Sequence, residues 1–267
     1  MNIVHLSDIH FRKTYEQSSE GYKGMLANMR SPLIPLKECL EEIRNKQEID
    51  LLIISGDLTD DGEAEDYRFL KKAIREVIGD TKVIVTLGNH DIKRQFREGW
   101  LNESPSDEPY NLIETFEDFH VISFDSAVYE NSNGHVCDNQ LKWLDQALER
   151  TQDKPVMLVT HHHLIEQQSS IPSLPEGKQV LERLQGNNIL CILSGHTHHA
   201  YKTKLENVPY FTVVGMSFVG EDIGEYQIQF EEKYGYNVYQ IENGQFKDAE
   251  HKTVSTGKQL KTVNMKQ

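Results

Sequence analysis

Side chains that bind metals or transfer protons cluster at the ends of apolar runs in this chain. The run "NILCIL" is followed by "SGHTHH" at residues 194–199, where three histidines fall within four positions. Another run ends in "GNHD" at residues 88–91. Asn-Gly alone would serve a turn at that point, and nothing in turn chemistry requires His followed by Asp. Both segments therefore indicate metal binding or acid–base chemistry.

Five such polar segments follow predicted strands and supply the candidate site residues. They are Asp8 and His10, Asp57, Asn89 to Asp91, His161 and His162, and His196 and His198. The adjacent His163 and His199 are predicted to be surface or packing residues. Oxygen and imidazole donors without thiolates exclude a structural zinc site and suit Mn²⁺, Fe or Zn²⁺ better than Ca²⁺. Seven candidate ligands are too many for one ion. We therefore predict two ions, roughly 3.5–4 Å apart, that share a bridging carboxylate.

The elements that must position these segments follow an α/β pattern. Six short apolar runs are typical of strands: "NIVHLS", "DLLIISG", "KVIVTLG", "HVISFDS", "PVMLVTH" and "ILCILSG". Apolar residues at helical spacing lie between them, for example Leu36, Leu40 and Ile43. A mostly parallel or mixed sheet covered on both faces is expected, and its strands end along one edge. The five polar segments should converge there.

A change of pattern after residue 208 indicates a second part of the same domain. "VPYFTVVGMSFVG", "EYQIQF" and "YNVYQIENGQF" predict successive strands without helices, a β-meander packed into the same body. We assign residues 1–251 to a single domain. Residues 252–267, with four lysines and no acidic residue, are expected to be a frayed or disordered tail. Residues 12–35 and 93–118 interrupt the alternation and are predicted to be substrate-capping insertions or solvated excursions.

The composition limits the classes of function. The formal net charge is −14, from 28 basic and 42 acidic residues, which argues against binding to long nucleic acids. An anionic substrate would need local positive charge, which two divalent cations would supply. No apolar run approaches the ~20 residues of a membrane span, and "MNIVHLSDIH" lacks the charged region of a signal peptide. Three scattered cysteines, Cys39, Cys137 and Cys191, indicate a reducing cytoplasm.

The order D-x-H, GD, GNHD, H and GHxH, from residue 8 to residue 198, resembles the signature of the calcineurin-like metallophosphoesterases. The resemblance implies a four-layer αββα sandwich, in which two mixed β-sheets are flanked by helices, and a dinuclear metal centre. Carried over by position, it implies two sets of ligands that share Asp57 as the bridge. One set is Asp8, His10, Asp57 and His198, and the other is Asp57, Asn89, His161 and His196.

Other segments narrow the resemblance to one branch of that family. "GDLTDDGEAEDYRFL", "FDSA" and "NQLKWLDQAL" are similar to the class III cyclic-nucleotide phosphodiesterases and glycerophosphodiesterases. Protein Ser/Thr phosphatases carry an arginine where this chain has Asp61, so phosphoprotein substrates are not expected. The branch usually continues its histidine pair with proline, whereas this chain has His163 and Leu164, which implies a differently shaped loop at the leaving-group pocket. A homodimer or an inserted cap often tunes specificity in this branch.

The expected reaction is hydrolysis of a small phosphodiester, such as a cyclic nucleotide or a glycerophosphodiester. A hydroxide that bridges two cations is available near neutral pH, because the metals lower the pKa of bound water toward ~7, and it would attack phosphorus in line. His90 is predicted to be the general acid for the leaving group. Asp91 would accept a hydrogen bond from His90 and fix its tautomer. The resemblance also places His162 near the site, as a residue that contacts substrate.

Two other functions are compatible with the sequence. The same chemistry would serve a phosphomonoester or a nucleotide pyrophosphate, and the acidic composition disfavours only long nucleic acids. A non-catalytic binding scaffold on this fold, as in the retromer subunit of similar architecture, would be marked by loss of ligands. None of the expected ligand and acid positions is lost in this chain, so an enzyme remains the prediction.

Overall fold

The computed structural model describes residues 1–264, in which helices and strands alternate for most of the chain. The strands are β1 (Asn2–Leu6), β2 (Leu51–Ser55), β3 (Lys82–Thr86), β4 (Leu112–Thr115), β5 (His120–Ser123), β6 (Val156–Val159), β7 (Ile189–Ser194), β8 (Tyr201–Leu205), β9 (Val208–Thr212), β10 (Val219–Asp222), β11 (Gln227–Glu242) and β12 (Gln245–Asn264). The helices are α1 (Gly21–Asn28), α2 (Leu33–Lys46), α3 (Ala64–Ile78), α4 (Lys93–Phe96), α5 (Asp138–Arg150) and α6 (Gly177–Leu184). None of the helices in this range has the length and apolar character needed to cross a membrane.

The strands form two mixed sheets. In the first sheet the order is β10–β11–β1–β2–β3, and β12 pairs with β11. Strands β1, β2 and β3 are parallel, and β11 is antiparallel to β1. In the second sheet the order is β4–β5–β6–β7–β9–β8, with β5, β6, β7 and β9 parallel. All six predicted strands are present, and the loops that follow the parallel strands emerge at one edge of each sheet.

Alternate side chains of the central strands face different layers. Ile3 and Ile53 of the first sheet pack against Met157 of the second sheet, so the two sheets share one apolar core. Val4 and Ile54 face the other way, into a cluster that α2 and α3 cover. Helices α5 and α6 cover the outer face of the second sheet. This order of helix, sheet, sheet and helix confirms the predicted four-layer αββα sandwich.

The C-terminal part differs from the predicted meander. Two segments predicted as separate strands lie largely in one long strand, β11, which forms a hairpin with β12, while β9 joins the second sheet. The expectation of a disordered tail from residue 252 is wrong, because Lys252 pairs with Tyr236 and the strand continues beyond it. Leu260 and Val263 are buried, so two apolar side chains among the lysines hold this end of β12. Residues 265–267 of the predicted tail lie outside the described residues.

The two predicted insertions have different surroundings. Residues 12–35 include α1, whose Met25 packs in one cluster with Phe230 of β11. Residues 93–118 include α4, a π-helical turn and β4. Gly99 of that turn approaches α3 so closely that an added Cβ would lie 2.2 Å from the carbonyl oxygen of Ala64. The second insertion is therefore fixed to a helix of the outer layer.

Candidate metal centre

The loops after β1, β2, β3, β6 and β7 meet at one edge of the two sheets. The amide of Asp8 donates a hydrogen bond to the carbonyl oxygen of Gly56 (3.0 Å), and the amide of Gly195 donates to the carbonyl oxygen of His161 (3.0 Å). These bonds join neighbouring loops within each sheet. The amide of His196 donates to the carboxylate of Asp8 (3.0 Å) and connects the two sheets. The structure thus brings together the polar segments that the sequence analysis singled out.

Five of the predicted ligands have a left-handed backbone conformation. The angle φ is 53° at Asp8, 49° at His10, 48° at Asp57, 70° at His196 and 57° at His198. Residues other than glycine adopt this conformation at a cost in free energy, and such residues concentrate at functional sites. The loops accept this strain at most of the predicted ligand positions, which supports a functional origin for the arrangement.

The first group of predicted ligands contains Asp8, His10 and His198. Nδ1 of His10 donates to Oδ2 of Asp60 (2.9 Å), and Nδ1 of His198 donates to the carbonyl oxygen of Phe218 (2.7 Å). In the neutral rings, both Nε2 atoms therefore carry lone pairs, and they lie 3.1 Å apart. Nε2 of His198 is 3.4 Å from Oδ1 of Asp8, an atom without a hydrogen-bond partner among the described residues. Facing lone pairs of this kind are stabilised by a cation between them.

The second group contains Asn89, His161 and His196. Nδ1 of His161 donates to the carbonyl oxygen of Ser55 (2.7 Å), so Nε2 of the neutral ring carries a lone pair. Three atoms of this group are buried and have no hydrogen-bond partner among the described residues: Oδ1 of Asn89, Nε2 of His161 and Nε2 of His196. Buried polar atoms cost free energy unless they bind something. The group therefore fits a metal ion.

Asp57 lies between the two groups. Its Oδ2 is 3.5 Å from Nε2 of His10 and 3.4 Å from Nε2 of His161, and its Oδ1 accepts the amide of His90 (2.9 Å). Burial alone raises the pKa of Asp57, but the neighbouring imidazoles of His161 and His90 hold that pKa well below its ordinary value. One ionised carboxylate thus faces both groups, which is the geometry that a bridging ligand requires.

The carboxylates oppose the effect of burial at two of the imidazoles. Burial lowers the pKa of His10, but the hydrogen bond to Asp60 and the charge of Asp57 raise it to about 9. The pKa of His161 is likewise raised to about 9, since Asp57 outweighs burial. Burial prevails at His198, where it lowers the pKa to about 4. The centre therefore attracts positive charge, either protons or the metal ions that replace them.

His90 stands at the edge of both groups. Its side chain is 28% exposed, and Nδ1 lies 3.7 Å from Oδ1 of Asp60 and 3.8 Å from Oδ1 of Asp61. Its ring meets the ring of His10 edge to face, with centroids 4.9 Å apart. An imidazole that is open to the cavity in this way is placed to donate a proton to a leaving group.

The carboxylate of Asp91 has partners other than the predicted one. It accepts hydrogen bonds from backbone amides after β2 and β3 and from a tyrosine hydroxyl. The donors are Gly88 (2.9 Å), Leu58 (3.1 Å), Thr59 (3.2 Å) and the hydroxyl of Tyr67 (2.9 Å). Burial and the charge of Asp57 raise the pKa of Asp91 to about 6. The predicted hydrogen bond from His90 to Asp91 is wrong, because Asp91 instead joins the two loops that carry Asp57 and Asn89.

His162 is fully buried behind the ligands. Its ring centroid lies 4.9 Å from that of His161 and 4.6 Å from that of His196, and its Nδ1 is 2.8 Å from the hydroxyl oxygen of Ser126. This position does not support the predicted contact with substrate. A nitrogen of His162 lies within 4.8 Å of ligand atoms of His161 and His196, so the ring is a neighbour of the centre. His163, predicted to be a surface or packing residue, is buried beside it.

A cavity of about 340 Å³ opens over the ligands. Its lining includes six predicted site residues: His10, Asp57, Asn89, His90, His196 and His198. The lining also includes residues that the sequence analysis missed: Tyr22, Ser132, Ser169 to Ile171, Phe218, Ile228 and Phe230. Tyr22 belongs to the predicted insertion 12–35, whereas no residue of 93–118 is part of the lining. The apolar members resemble ordinary core residues in the sequence, so no pattern singles them out.

Comparisons with known proteins identify the family and the fold of this chain. The family model described as "Calcineurin-like phosphoesterase" matches residues 1–200. A "Probable cyclic nucleotide phosphodiesterase" from Rhodococcus erythropolis is 30% identical over 213 residues, which cover 78% of this chain and 68% of that protein. "Glycerophosphodiester phosphodiesterase GpdQ" from Enterobacter lignolyticus is 25% identical over 232 residues, 80% of this chain and 76% of that protein. The crystal structure of a dimetal phosphatase from Danio rerio is similar in fold, with a TM-score of 0.59, 14% identity, and coverage of 86% of this chain and 95% of that one.

Proposed function

Because the chain belongs to the calcineurin-like phosphoesterase family, we propose that it hydrolyses a small phosphodiester in the cavity over Asp57. The observation that carries this proposal is the arrangement around Asp57, where four imidazoles, one amide and two carboxylates face one another without enough donors to satisfy them. Relatives named as cyclic nucleotide and glycerophosphodiester phosphodiesterases support a diester as the substrate.

The two groups of ligands are proposed to hold two metal ions, each a divalent or transition metal such as manganese, iron or zinc. Asp8, His10, Asp57 and His198 would hold one ion, and Asp57, Asn89, His161 and His196 would hold the other. The absence of sulfur from this set of donors supports these metals. When bound, the ions supply a hydroxide near neutral pH and stabilise negative charge on the phosphoryl oxygens.

His90 is proposed to be the general acid that protonates the leaving oxygen. Its exposure to the cavity supports this role, because a general acid must reach the leaving oxygen. Asp60 accepts hydrogen bonds from His10 (2.9 Å) and from the hydroxyl of Tyr22 (2.7 Å). One carboxylate thus orients a ligand and faces the acid. Asp91 is proposed to hold the loops of the centre in place.

The charges around the cavity favour a diester over a monoester. Among the described residues, its lining includes Asp222 and the ligand Asp57 but no lysine or arginine. The nearby guanidinium of Arg12 is paired with Asp66 (3.1 Å). A diester carries one negative charge, whereas a monoester or a nucleotide pyrophosphate carries more near neutral pH. A phosphomonoesterase or pyrophosphatase on the same site is therefore the weaker proposal, and a non-catalytic scaffold is weaker still because the ligands are intact.

Hydrolysis of bis(p-nitrophenyl) phosphate by the Mn²⁺-loaded protein tests this function, with p-nitrophenyl phosphate as the monoester comparison. We expect turnover of the diester to exceed turnover of the monoester and to be lost in Asp57→Ala. His90→Ala should lower it much less, because p-nitrophenolate leaves without a proton. Faster turnover of the monoester would replace the diester with a monoester as the substrate. Equal rates in the wild type and both variants would remove the proposal.

We also propose a cytoplasmic location and a homodimer as the working state. Cys39, Cys137 and Cys191 are free thiols, which supports a reducing compartment. The dimer follows from the resemblance to the phosphodiesterase branch. Light scattering on the purified protein tests the dimer. A measured mass of 30.8 kDa, that of a single chain, would exclude it.

A further inference from the structure

One side of the cavity is apolar and has no part in phosphate chemistry. It is formed by Tyr22 of α1, Phe218 before β10, and Ile228 and Phe230 of β11, which we call the aromatic wall. The ring centroids of Phe218 and Phe230 lie 5.6 Å apart, and that of Tyr22 lies 6.1 Å from Phe218 and 6.3 Å from Phe230. All three pairs are edge to face, which is a favourable geometry for aromatic rings.

The aromatic wall begins directly at the predicted ligands. The ring of Phe218 stacks on that of His198, with centroids 4.4 Å apart and planes at 24°, and lies 5.1 Å from that of His10. The ring of Tyr22 lies 5.9 Å from that of His90. A phosphate held at the ligands would therefore place one of its ester groups against the wall.

The wall is also held in place from behind. The hydroxyl of Tyr22 donates to Asp60 (2.7 Å), and the carbonyl oxygen of Phe218 accepts from Nδ1 of His198 (2.7 Å). Phe218 and Phe230 belong to an apolar cluster with α1 and the end of β12 that includes Val263. A surface fixed at both ends in this way is pre-organised for a ligand and does not need to form on binding.

We infer that the aromatic wall binds a planar aromatic ester group of the nucleobase class, so that the substrate is a nucleoside phosphodiester. This inference rests on the proposed phosphodiesterase function. The hydroxyls of a glycerol ester would lose water against Phe218, Ile228 and Phe230 without gaining partners. A base would instead bury its apolar faces there, and the serines at Ser169 and Ser170 and the carboxylate of Asp222 in the lining could meet its polar edge.

Binding of three phosphinates to the Mn²⁺-loaded protein tests the inference by isothermal titration calorimetry. Each phosphinate has one negative charge and no ester bond that the enzyme could cleave: dimethylphosphinate, its analogue with a dihydroxypropyl group in place of one methyl, and its analogue with a 5′-deoxyadenosyl group. We expect the adenosyl compound to bind at least about tenfold more tightly than the other two. Equal affinities for the adenosyl and dihydroxypropyl compounds would overturn the inference.

Two matched variants locate the effect. Ile228 and Val263 face each other across β11 and β12 and belong to the same apolar cluster, but only Ile228 lines the cavity. Ile228→Thr should reduce the preference for the adenosyl compound over dimethylphosphinate by about threefold or more, whereas Val263→Thr should preserve it. An unchanged preference in Ile228→Thr, or an equal loss in both variants, would overturn the assignment.

The two proposals fail in different ways. Binding of phosphinates requires no hydrolysis, so it is measured even if no ester is turned over. Hydrolysis of bis(p-nitrophenyl) phosphate together with equal phosphinate affinities would leave the phosphodiesterase standing and remove only the aromatic subsite. A tight adenosyl complex without any hydrolysis would keep the subsite and remove the proposed reaction.

Discussion

Two regions of this molecule contain buried histidines, and they differ in the hydrogen-bond partners that the ring nitrogens have. In the interior, His5 has partners for both ring nitrogens: the hydroxyl of Tyr239 lies 3.0 Å from Nδ1, and the hydroxyl of Ser55 lies 2.8 Å from Nε2. At the sheet edge, His161 and His196 are also buried, but Nε2 of each has no partner within residues 1–264. Burial is thus shared by both regions, and only the unmet bonding capacity distinguishes the site.

The two regions meet at one residue. The hydroxyl of Ser55 lies 2.8 Å from the His5 ring, while its carbonyl oxygen accepts Nδ1 of His161 (2.7 Å). From His5 the hydrogen bonds continue toward the surface. The hydroxyl of Tyr239 accepts from the side-chain amide of Asn237 (2.9 Å), and Oδ1 of Asn237 lies 2.7 Å from Nδ1 of His251. A hydrogen-bond network therefore orients His161 through its Nδ1, and Nε2 of the same ring is left for a metal ion.

Replacement of Asp57 should have the largest effect, because both groups of ligands depend on it. In Asp57→Ala we expect loss of both metal ions by elemental analysis and hydrolysis no faster than the buffer. Asp125→Ala is the matched control, a buried carboxylate whose partners are already present: Lys93 and the amides of Tyr110 (2.7 Å) and Ala127 (2.8 Å). It should lose about 3–5 kcal/mol of stability, because Lys93 is left without its partner, and keep its metals. Retention of two ions in Asp57→Ala would contradict the bridge.

Replacement of His90 should have a large effect that depends on the leaving group. His90→Ala should slow hydrolysis of an alkyl diester by about 10²–10⁴-fold. The loss should be much smaller for bis(p-nitrophenyl) phosphate, because p-nitrophenolate leaves without a proton. His199→Gln is the control, since His199 also lines the cavity but its Nε2 lies 3.1 Å from the carbonyl oxygen of Gly220. Equal losses for both leaving groups would argue against His90 as the acid.

Replacement of Asp60 should have a smaller effect, since it acts through His10. Asp60→Asn weakens the acceptor of the His10 Nδ1–H, so we expect the affinity for Mn²⁺ to fall by about 10–100-fold, measured by metal titration. Asp61→Asn provides the comparison, because the Asp61 side chain is 48% exposed and its Oδ1 lies 3.8 Å from Nδ1 of His90. If the two variants bind Mn²⁺ with the same affinity, Asp60 does not orient the ligand.

The strands and the ligands could be predicted because each has a local signal. An apolar run that ends in Asp or His indicates both the strand and the loop after it. The rule that parallel strands end at one edge of a sheet then predicts that these loops lie close together. The aromatic wall has no such signal. Phe218 and Phe230 reach the cavity only because β11 extends past β1 to pair with β10 and β12. Pairing between distant segments cannot be predicted from any short segment of the sequence.

The predicted contacts of Asp91 and His162 are not found in the structure for a related reason. Asp91 follows His90 directly, which suggested a contact between the two side chains. Backbone amides of the loops after β2 and β3 instead donate hydrogen bonds to the Asp91 carboxylate, because they would otherwise be buried without an acceptor. His162 follows a predicted ligand in the same way, yet it lies in the interior against Ser126. Neighbours in sequence share a loop, but the direction of each side chain depends on the partners that the fold supplies.

Replacement of His5 should have the smallest effect, on stability and not on catalysis. Burial lowers the pKa of His5 to about 3, so below about pH 6.5 the unfolded chain binds a proton that the folded protein excludes. The wild type should therefore lose stability as the pH falls from 6.5 toward 3, by roughly 1.4 kcal/mol per pH unit from this residue. His5→Gln should cost about 1–2 kcal/mol at pH 7.5, with metal content unchanged, but its glutamine does not titrate. Urea unfolding at a series of pH values should show the difference between the two proteins shrinking on acidification, and a constant difference would mean that His5 is protonated in the folded state.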